Sequence, residues 1–376
     1  MDTGQVNVNF KFILFYLNKM HKGFADLPLH YGRAPRWLFN RMVKLAGAIS
    51  EAIILEYGTA TLLEKISDPF WFQAFGCVLG FDWHSSGLTT TVCGALKIAL
   101  KDANLGIAVC GGKGKTSLKT PEEILNSDLG LSMQKLENLA YASRISAKVD
   151  NACIQDGFQL YHHCFIFDER GNWAVIQQGM NDSLHKARRY HWFSEDIEGS
   201  MVDEPHSAIC CDIKLNKVLD MTSSKSEEVR KCSVAIAQEF ERELKNLKIK
   251  KLVMPRHHEL YEFHLSKYGR AILEKIKTIE PKGYEELIAI KGVGPKTIRA
   301  LALISELIYG KAPSYRDPAV YSFAHGGKDG WPYPVDKKGY DESIYTLRRA
   351  IEEARLGKRE KLKMLKLFDS TMQISP

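Results

Sequence analysis

The sequence predicts an α+β protein: a mixed N-terminal domain with a β-hairpin-containing sheet, followed by an all-helical domain. Three observations predict it. Two apolar runs flank the turn "DERGN" inside residues 156–180, "DGFQLYHHCFIFDERGNWAVIQQGM", the pattern of a β-hairpin. From about Ser223 to Leu307 the apolar spacing becomes helical, beginning with "SEEVRKCSVAIAQEFERELKNLK". The basic excess is also confined: between Lys245 and Lys311 there are 14 Lys/Arg against 7 Asp/Glu, while the rest of the chain balances.

At 376 residues, 45% hydrophobic and 26% charged, the chain can hold two domains and a large core. The eight cysteines form no CxxC pair and read as reduced, mostly buried thiols of a cytoplasmic protein. The run "FKFILFYL" at 10–17 is too short to span a bilayer and lacks a secretory cleavage site, so no membrane partner is expected.

In chain order, "GFADLPLHYGRAP" is a loop and "RWLFNRMVKLAGAISEAIILEYG" an amphipathic helix. "SDPFWFQAFGCVLGF" starts at an Asp-Pro turn and continues as a buried apolar segment. "WHSSGLTTTVCGALKIALKDA" is a turn and a helix. "LGIAVCGGKGKTS" reads as a strand entering a basic glycine loop, and "TPEEILN" as a helix with Thr120 at the N-cap and Pro121 at its first position. After the hairpin, "SAICCDIKL" at 207–215 reads as a third strand. A Gly/Pro-rich loop, "AHGGKDGWPYPVDKKGYDES", precedes a charged helix at 342–366.

Within the basic segment, "YEELIAIKGVGPKTIRALALISELIYG" is a helix, a short glycine turn and a second helix. Gly292 and Gly294 permit torsions and close approach that side chains block, and Pro295 suits a first helical turn. The amides from Gly294 to Thr297, with Lys296, would form a phosphate site at a helix N-terminus. This stretch resembles the helix-hairpin-helix motif, which holds a DNA backbone without reading sequence; DNA is the partner it implies. In order, Lys296 and Asp317 are also similar to the lysine and aspartate of helix-hairpin-helix DNA glycosylases, where the lysine forms a Schiff base with an abasic sugar. A simple backbone grip by Lys296 stands beside that reading.

The large domain offers further candidates. "GGKGKT" at 111–116 is not a nucleotide-binding P-loop, because Val109 stands where the first glycine is needed; Lys113 and Lys115 could still hold a nucleic-acid phosphate. Arg188 and Arg189 in "ARRYHWF" suit phosphate contact with base stacking, or else cap a buried aromatic cluster. His84, Asp156, His162, His163 and Asp168 are the catalytic candidates, with Glu169, His191, Glu204 and His206 as further polar groups. Asp156, His162, His163 and His206 are the candidate ligands for Mg or Mn, which would neutralise a phosphodiester and lower the pKa of an attacking water. His162 and His163 fall on opposite strand faces, so only one can join a given site. "DIK" at 212–214, with Asp196 or Asp203 upstream, is a chance-level match to a nuclease acid-x-Lys pair.

Taken together, "ADLPLHYGRAPRWL", "FDWHSSGLTTTVCGALK", "LYHHCFIFDERGNWAVIQQGM", "ARRYHWFSE", "VDEPHSAI" and "AHGGKDGWPYPVD" resemble a prokaryotic, largely archaeal family, domain of unknown function 763. The resemblance implies that the family part starts near Met20, leaving 1–19 as an extension, with 20–240 as the α+β domain and 241–376 as the helical one. The expectation is a DNA-processing protein, foremost a metal-dependent nuclease acting on branched, damaged or single-stranded DNA. The alternatives are a non-catalytic repair scaffold and the Lys296/Asp317 lyase; a symmetric homodimer is left open.

Overall fold

The computed structural model describes residues 27, 29, 34–81, 85–239, 251–254, 258–261, 267–320 and 337–354, with 357, 358, 361, 362, 365 and 366. Helices α1 (Arg36–Tyr57), α2 (Thr59–Ser67), α3 (Pro69–Val78) and α4 (Gly87–Leu100) come first. Asp68 starts α3 as the Asp-Pro signal requires: its carboxylate accepts from the Phe70 and Trp71 amides at 2.7 and 2.9 Å. Strand β1 (Ile107–Lys113) follows, then a 3₁₀ stretch over Gly114–Lys119, α5 (Thr120–Leu125) and α6 (Met133–Lys148). Thr120 is itself the first residue of α5, and its hydroxyl donates back to the Ser117 carbonyl at 2.7 Å rather than capping the helix.

A π-helical turn over Val149–Cys153 leads into β2 (Ile154–Gln155), β3 (Gln159–Asp168), β4 (Trp173–Asn181), β5 (Lys186–Phe193), β6 (Ala208–Cys210) and β7 (Leu219–Asp220). The antiparallel main sheet runs β1-β3-β4-β5-β6, while β2 pairs with β7. "ARRYHWF" is thus a central strand, whereas only Ala208–Cys210 of the run "SAICCDIKL" joins the sheet. Asp168 builds the expected hairpin turn. Its carboxylate accepts from the Arg170 and Asn172 amides at 3.0 and 2.9 Å, from the Asn172 side chain, and from Thr59 Oγ1 at 2.9 Å. Fully buried and engaged this way, Asp168 is a turn organiser and not a catalytic carboxylate.

Helix α7 (Glu227–Gln238), the β8 (Lys251–Met254) and β9 (His258–Tyr261) pair, α8 (Lys267–Ile279), α9 (Tyr284–Ala289), α10 (Pro295–Tyr309) and α11 (Lys337–Glu353) complete the fold. None of the described helices is long and apolar enough to cross a membrane.

Both faces of the sheet are covered, which is why β3 reads as a nearly continuous apolar run. On one face Cys164, Ile166, Ala174 and Ile176 pack on the layer of Ile49, Trp71, Phe75 and Val92, and α11 adds Leu347 and Ile351. On the other, Phe165, Phe167, Val175 and Trp192 share a core with Leu136 and Ile145 of α6, Val229 of α7, and Leu287 and Leu301 of α9 and α10. The boundary expected near residue 240 falls outside the described residues, and the chain on its two sides contributes to this one core.

Burial on both faces overturns the expectation that Arg188 and Arg189 meet DNA at the surface: both are fully buried. Arg188 forms a two-pronged pair with Asp317 at 2.8 and 3.0 Å, reaches Asp156 at 2.9 Å and lies 4.5 Å from the Phe158 ring centre. Asp156 also accepts from Tyr190 at 2.7 Å and from the Phe158 amide at 2.9 Å; Asp317 accepts from the Leu215 and Ala319 amides at 2.7 and 2.9 Å. The guanidinium therefore staples β5 to three separate loops. Its attraction to two carboxylates outweighs the cost of burying the cation and keeps Arg188 charged.

Removing one partner would strand a buried charge. Asp317→Ala should lower folding stability by about 3–5 kcal/mol in urea denaturation. Apolar residues of similar volume placed at 156, 188 and 317 together should cost much less. A loss below about 1 kcal/mol for the single change would show that the cluster does not hold the loops.

Candidate functional site

The turn between α9 and α10 is fixed from below. Lys148 donates to the Ile290 carbonyl at 2.7 Å and to the Ile288 carbonyl, occupying the end of α9. Gln155 donates to the Pro295 carbonyl at 2.8 Å and accepts from Arg299 Nε at 2.6 Å, anchoring the first turn of α10. Gly292 has φ of +109°, a conformation side chains rarely take. Gly294 is different: its backbone is extended, and an added Cβ would meet only the Gly292 carbonyl oxygen, at 4.0 Å. Folding does not need glycine there, and its absence of a side chain leaves the turn open to solvent. Lys291 and Lys296 are exposed beside it, and Thr297 is half-buried. The α10 N-terminus thus offers amide donors and two lysines to solvent.

A second basic turn lies at the same end of the sheet, where β3 begins. Lys113 ends β1 opposite His162, and Lys113, Lys115 and Lys119 are exposed. Gly111 makes this turn possible: φ is +91°, and a Cβ would sit 2.2 Å from the His163 carbonyl oxygen. Its amide donates to Glu123 at 2.7 Å and its carbonyl accepts from Lys97 at 2.8 Å, so the loop base is pinned while its lysines face outward.

The proposed metal ligands are not gathered. His163 lies in a buried chain of polar groups with Ser143 at 2.8 Å and Gln177 at 3.0 Å. Gln177 donates to Asp150 at 2.6 Å, and Asp150 also takes Trp192 at 3.1 Å and His206 at 2.5 Å. Because Asp150 draws the Gln177 amide N–H, the Gln177 oxygen faces His163, whose Nδ1–H donates while Nε2 accepts from Ser143. His206 stacks edge-on against Trp192 at 4.5 Å. His162 points to the opposite sheet face, and Asp156 belongs to Arg188. Among the described residues, no three His, Cys, Asp or Glu side chains are grouped to hold a metal ion. His84 lies outside the described residues.

The remaining candidates also have structural employment. Asp317 is enclosed with Arg188 while Lys296 is exposed at the start of α10, so the lyase pair is not assembled. Asp212 pairs with Lys186, Asp196 accepts from Ser207 at 2.6 Å, and Asp203 pairs with Arg230 at 2.7 Å. Glu204 holds Ser224 at 2.9 Å, Glu169 is exposed, and His191 packs edge-on against Phe72. Residues that the sequence reading passed over are Ser143, Asp150, Tyr161, Gln177 and Gln178. Of these, only Gln177 and Gln178 carried a signal, in "WAVIQQGM", where two glutamines extend an apolar strand that is buried on both faces.

A family model described as protein of unknown function (DUF763) matches residues 23–335, most of the chain, and the protein belongs to that family. No curated protein and no solved structure gives a match.

Burial pushes His162 down to about 3 and His163 down to about 4, with Lys113 and Arg189 adding to the effect on His162. In the unfolded chain both imidazoles titrate near about 6.5. The unfolded state therefore binds more protons in the interval between, and stability present above about pH 6.5 is lost as pH falls towards 4. Urea midpoints should drop from pH 7 to pH 5, by up to about 1.4 kcal/mol per pH unit for each histidine. His163→Gln should flatten that slope; an unchanged slope would show that His163 is not held neutral.

Proposed function

We propose that the protein binds the backbone of DNA, without reading sequence, through the α9–α10 turn and the lysine-bearing loop after β1. The observation that carries this reading is the open amide end of α10, flanked by Lys291 and Lys296, beside a glycine that folding does not require. Phosphate oxygens suit such a site because several fixed N–H dipoles and two cations converge on it without any carboxylate needing to move. The Lys113–Lys119 stretch extends the positive surface at the same end of the sheet and would take neighbouring phosphates.

A reaction on the bound strand is the second reading, favoured by His162, a fully enclosed imidazole with neither ring nitrogen hydrogen-bonded. Incubating labelled single-stranded, duplex and branched DNA with manganese, magnesium or EDTA tests it directly. Metal-dependent cuts would support a nuclease, and binding without cuts under every condition would leave a DNA-holding scaffold.

For the binding itself, Lys296→Ala should weaken all DNA sequences alike and reduce the slope of log affinity against log salt by about 0.9. Gly294→Val should weaken binding severalfold with an unchanged melting temperature, since its side chain has room in the folded protein. Wild-type affinity in both variants, measured by fluorescence anisotropy, would remove the turn from the DNA site.

A further inference from the structure

Four polar side chains line up across the sheet at the end where the lysine loop lies. In register, Lys113 of β1 stands opposite His162 of β3, His162 opposite Gln178 of β4, and Gln178 opposite Arg189 of β5. The next row on the same face is Cys164, Ile176 and His191, and the row beyond it Ile166, Ala174 and Phe193. A β-bulge between Leu160 and His162 breaks the alternation, so that Tyr161 also reaches this row and its hydroxyl meets the Gln178 amide.

The row is held rigidly from the helical side. Gln178 donates to the Ser86 carbonyl at 2.8 Å and accepts from Thr89 Oγ1 at 2.5 Å, which fixes it against the first turn of α4. Arg189 donates to Gln73 at 2.7 Å and stacks 5.0 Å from the centre of Phe72. Ser85 closes the start of α4, a 14-residue helix: its hydroxyl accepts from the Gly87 amide at 3.1 Å and its carbonyl from the Leu88 amide at 3.1 Å.

Inside this frame His162 is 1% exposed, and neither of its ring nitrogens has a hydrogen-bond partner among the described residues. A buried imidazole without partners loses its hydration and gains nothing in return, so a ligand atom is the natural completion. The charged groups that act on the ring are Lys113 and Arg189, both positive. Together with the Tyr161 hydroxyl they make a donor-rich lining, which a cation would avoid and an anion would satisfy.

We propose that the Lys113–His162–Gln178–Arg189 row, beneath the N-terminus of α4, binds a phosphomonoester at the end of a nucleic-acid strand. The assignment rests on the DNA-binding reading and adds to it the form of DNA that is held. Depth is the reason for a strand end. Lys113 is exposed and Tyr161 half-buried at the rim, while His162, Gln178 and Arg189 on the floor are all but inaccessible. A tetrahedral group attached through one oxygen can enter such a site; a diester in mid-strand, tethered on both sides, cannot. Lys115 and Lys119 on the adjoining 3₁₀ stretch are placed for the phosphates that follow.

The test compares otherwise identical oligonucleotides carrying a 5′-phosphate, a 3′-phosphate or hydroxyl ends, with inorganic phosphate and a nucleoside monophosphate as competitors. One phosphorylated end should bind the full-length protein about tenfold tighter than hydroxyl ends, as expected of a few charge-assisted hydrogen bonds. His162→Phe, which keeps the volume and removes both nitrogens, should erase that preference and leave hydroxyl-end binding unchanged. If His162→Phe does not fold, Tyr161→Phe at the half-buried rim makes the same comparison. Equal binding of phosphorylated and hydroxyl ends by the wild type would overturn the assignment, as would a preference that survives in His162→Phe or Tyr161→Phe. Competition by inorganic phosphate or the monophosphate as effective as that of the phosphorylated strand would reassign the pocket to a small molecule. Failure of the turn is separable: Gly294→Val weakens every oligonucleotide alike, whereas loss of this pocket removes only the difference between ends.

Discussion

Several loops at one end of the main sheet depend on one buried cation. Arg188 sits in the middle of a strand covered on both faces, where an unpaired guanidinium could not remain. Asp317 arrives 129 residues later in the chain to meet it with both carboxylate oxygens, and Asp156 closes the third side. Each carboxylate in turn gathers backbone amides: Phe158 for one, Leu215 and Ala319 for the other. Loops that would otherwise need cores of their own are located by charge-assisted hydrogen bonds to a single strand residue. The loop between β2 and β3, with Asp156 and Phe158, is among them, and Gln155 at the end of β2 anchors the first turn of α10. A constraint deep in the sheet therefore reaches the surface turn in two steps.

The two sheet faces treat buried polarity differently. On the face towards α6 the polar groups are saturated: Ser143, His163, Gln177, Asp150, Trp192 and His206 form an unbroken chain of donors and acceptors. Such a chain rigidifies the core and leaves nothing for a ligand. On the face towards α4 the corresponding row is not closed, because His162 receives no bond. Two histidines adjacent in sequence, with similar burial, thus have opposite status. The difference lies in their neighbours: a serine and a glutamine on one side, two cations on the other.

How much of this was legible in the sequence follows from what each signal encodes. The hairpin was legible because "DERGN" carries turn chemistry that acts locally, and Asp168 does what an aspartate before a tight turn does. The strand into the basic glycine loop was legible because Gly111 tolerates no side chain. Arg188 and Arg189 were misread as surface groups because charge predicts exposure unless a partner is known, and Asp317 is too far along the chain to be seen as one. The same distance hid the fact that Asp317 is unavailable to Lys296. The metal set failed for a different reason. Composition shows that histidines and carboxylates are present, but strand alternation and long-range pairing decide which of them meet.

The location of the unfinished row bears on its meaning. On the same face His191 lies mid-sheet, opposite Ile176 and against the Phe72 ring. His162 stands instead opposite Lys113, the residue at which β1 leaves the sheet for the lysine-bearing 3₁₀ stretch. A bulge there turns a tyrosine onto the same glutamine, and the first turn of a long helix is bonded to that glutamine from above. Bulge and strand end supply donors, and the neutral ring of His162 can accept as well as donate. A phosphoryl group carrying an ionisable oxygen matches that mixture, since it accepts from the cations and the tyrosine hydroxyl while its protonated form can donate to the imidazole. The α9–α10 turn offers only donors, and so suits the diesters of a continuous backbone. The two proposed sites are therefore chemically distinct, and on that reading a strand gripped at the turn would need a free end to satisfy the other.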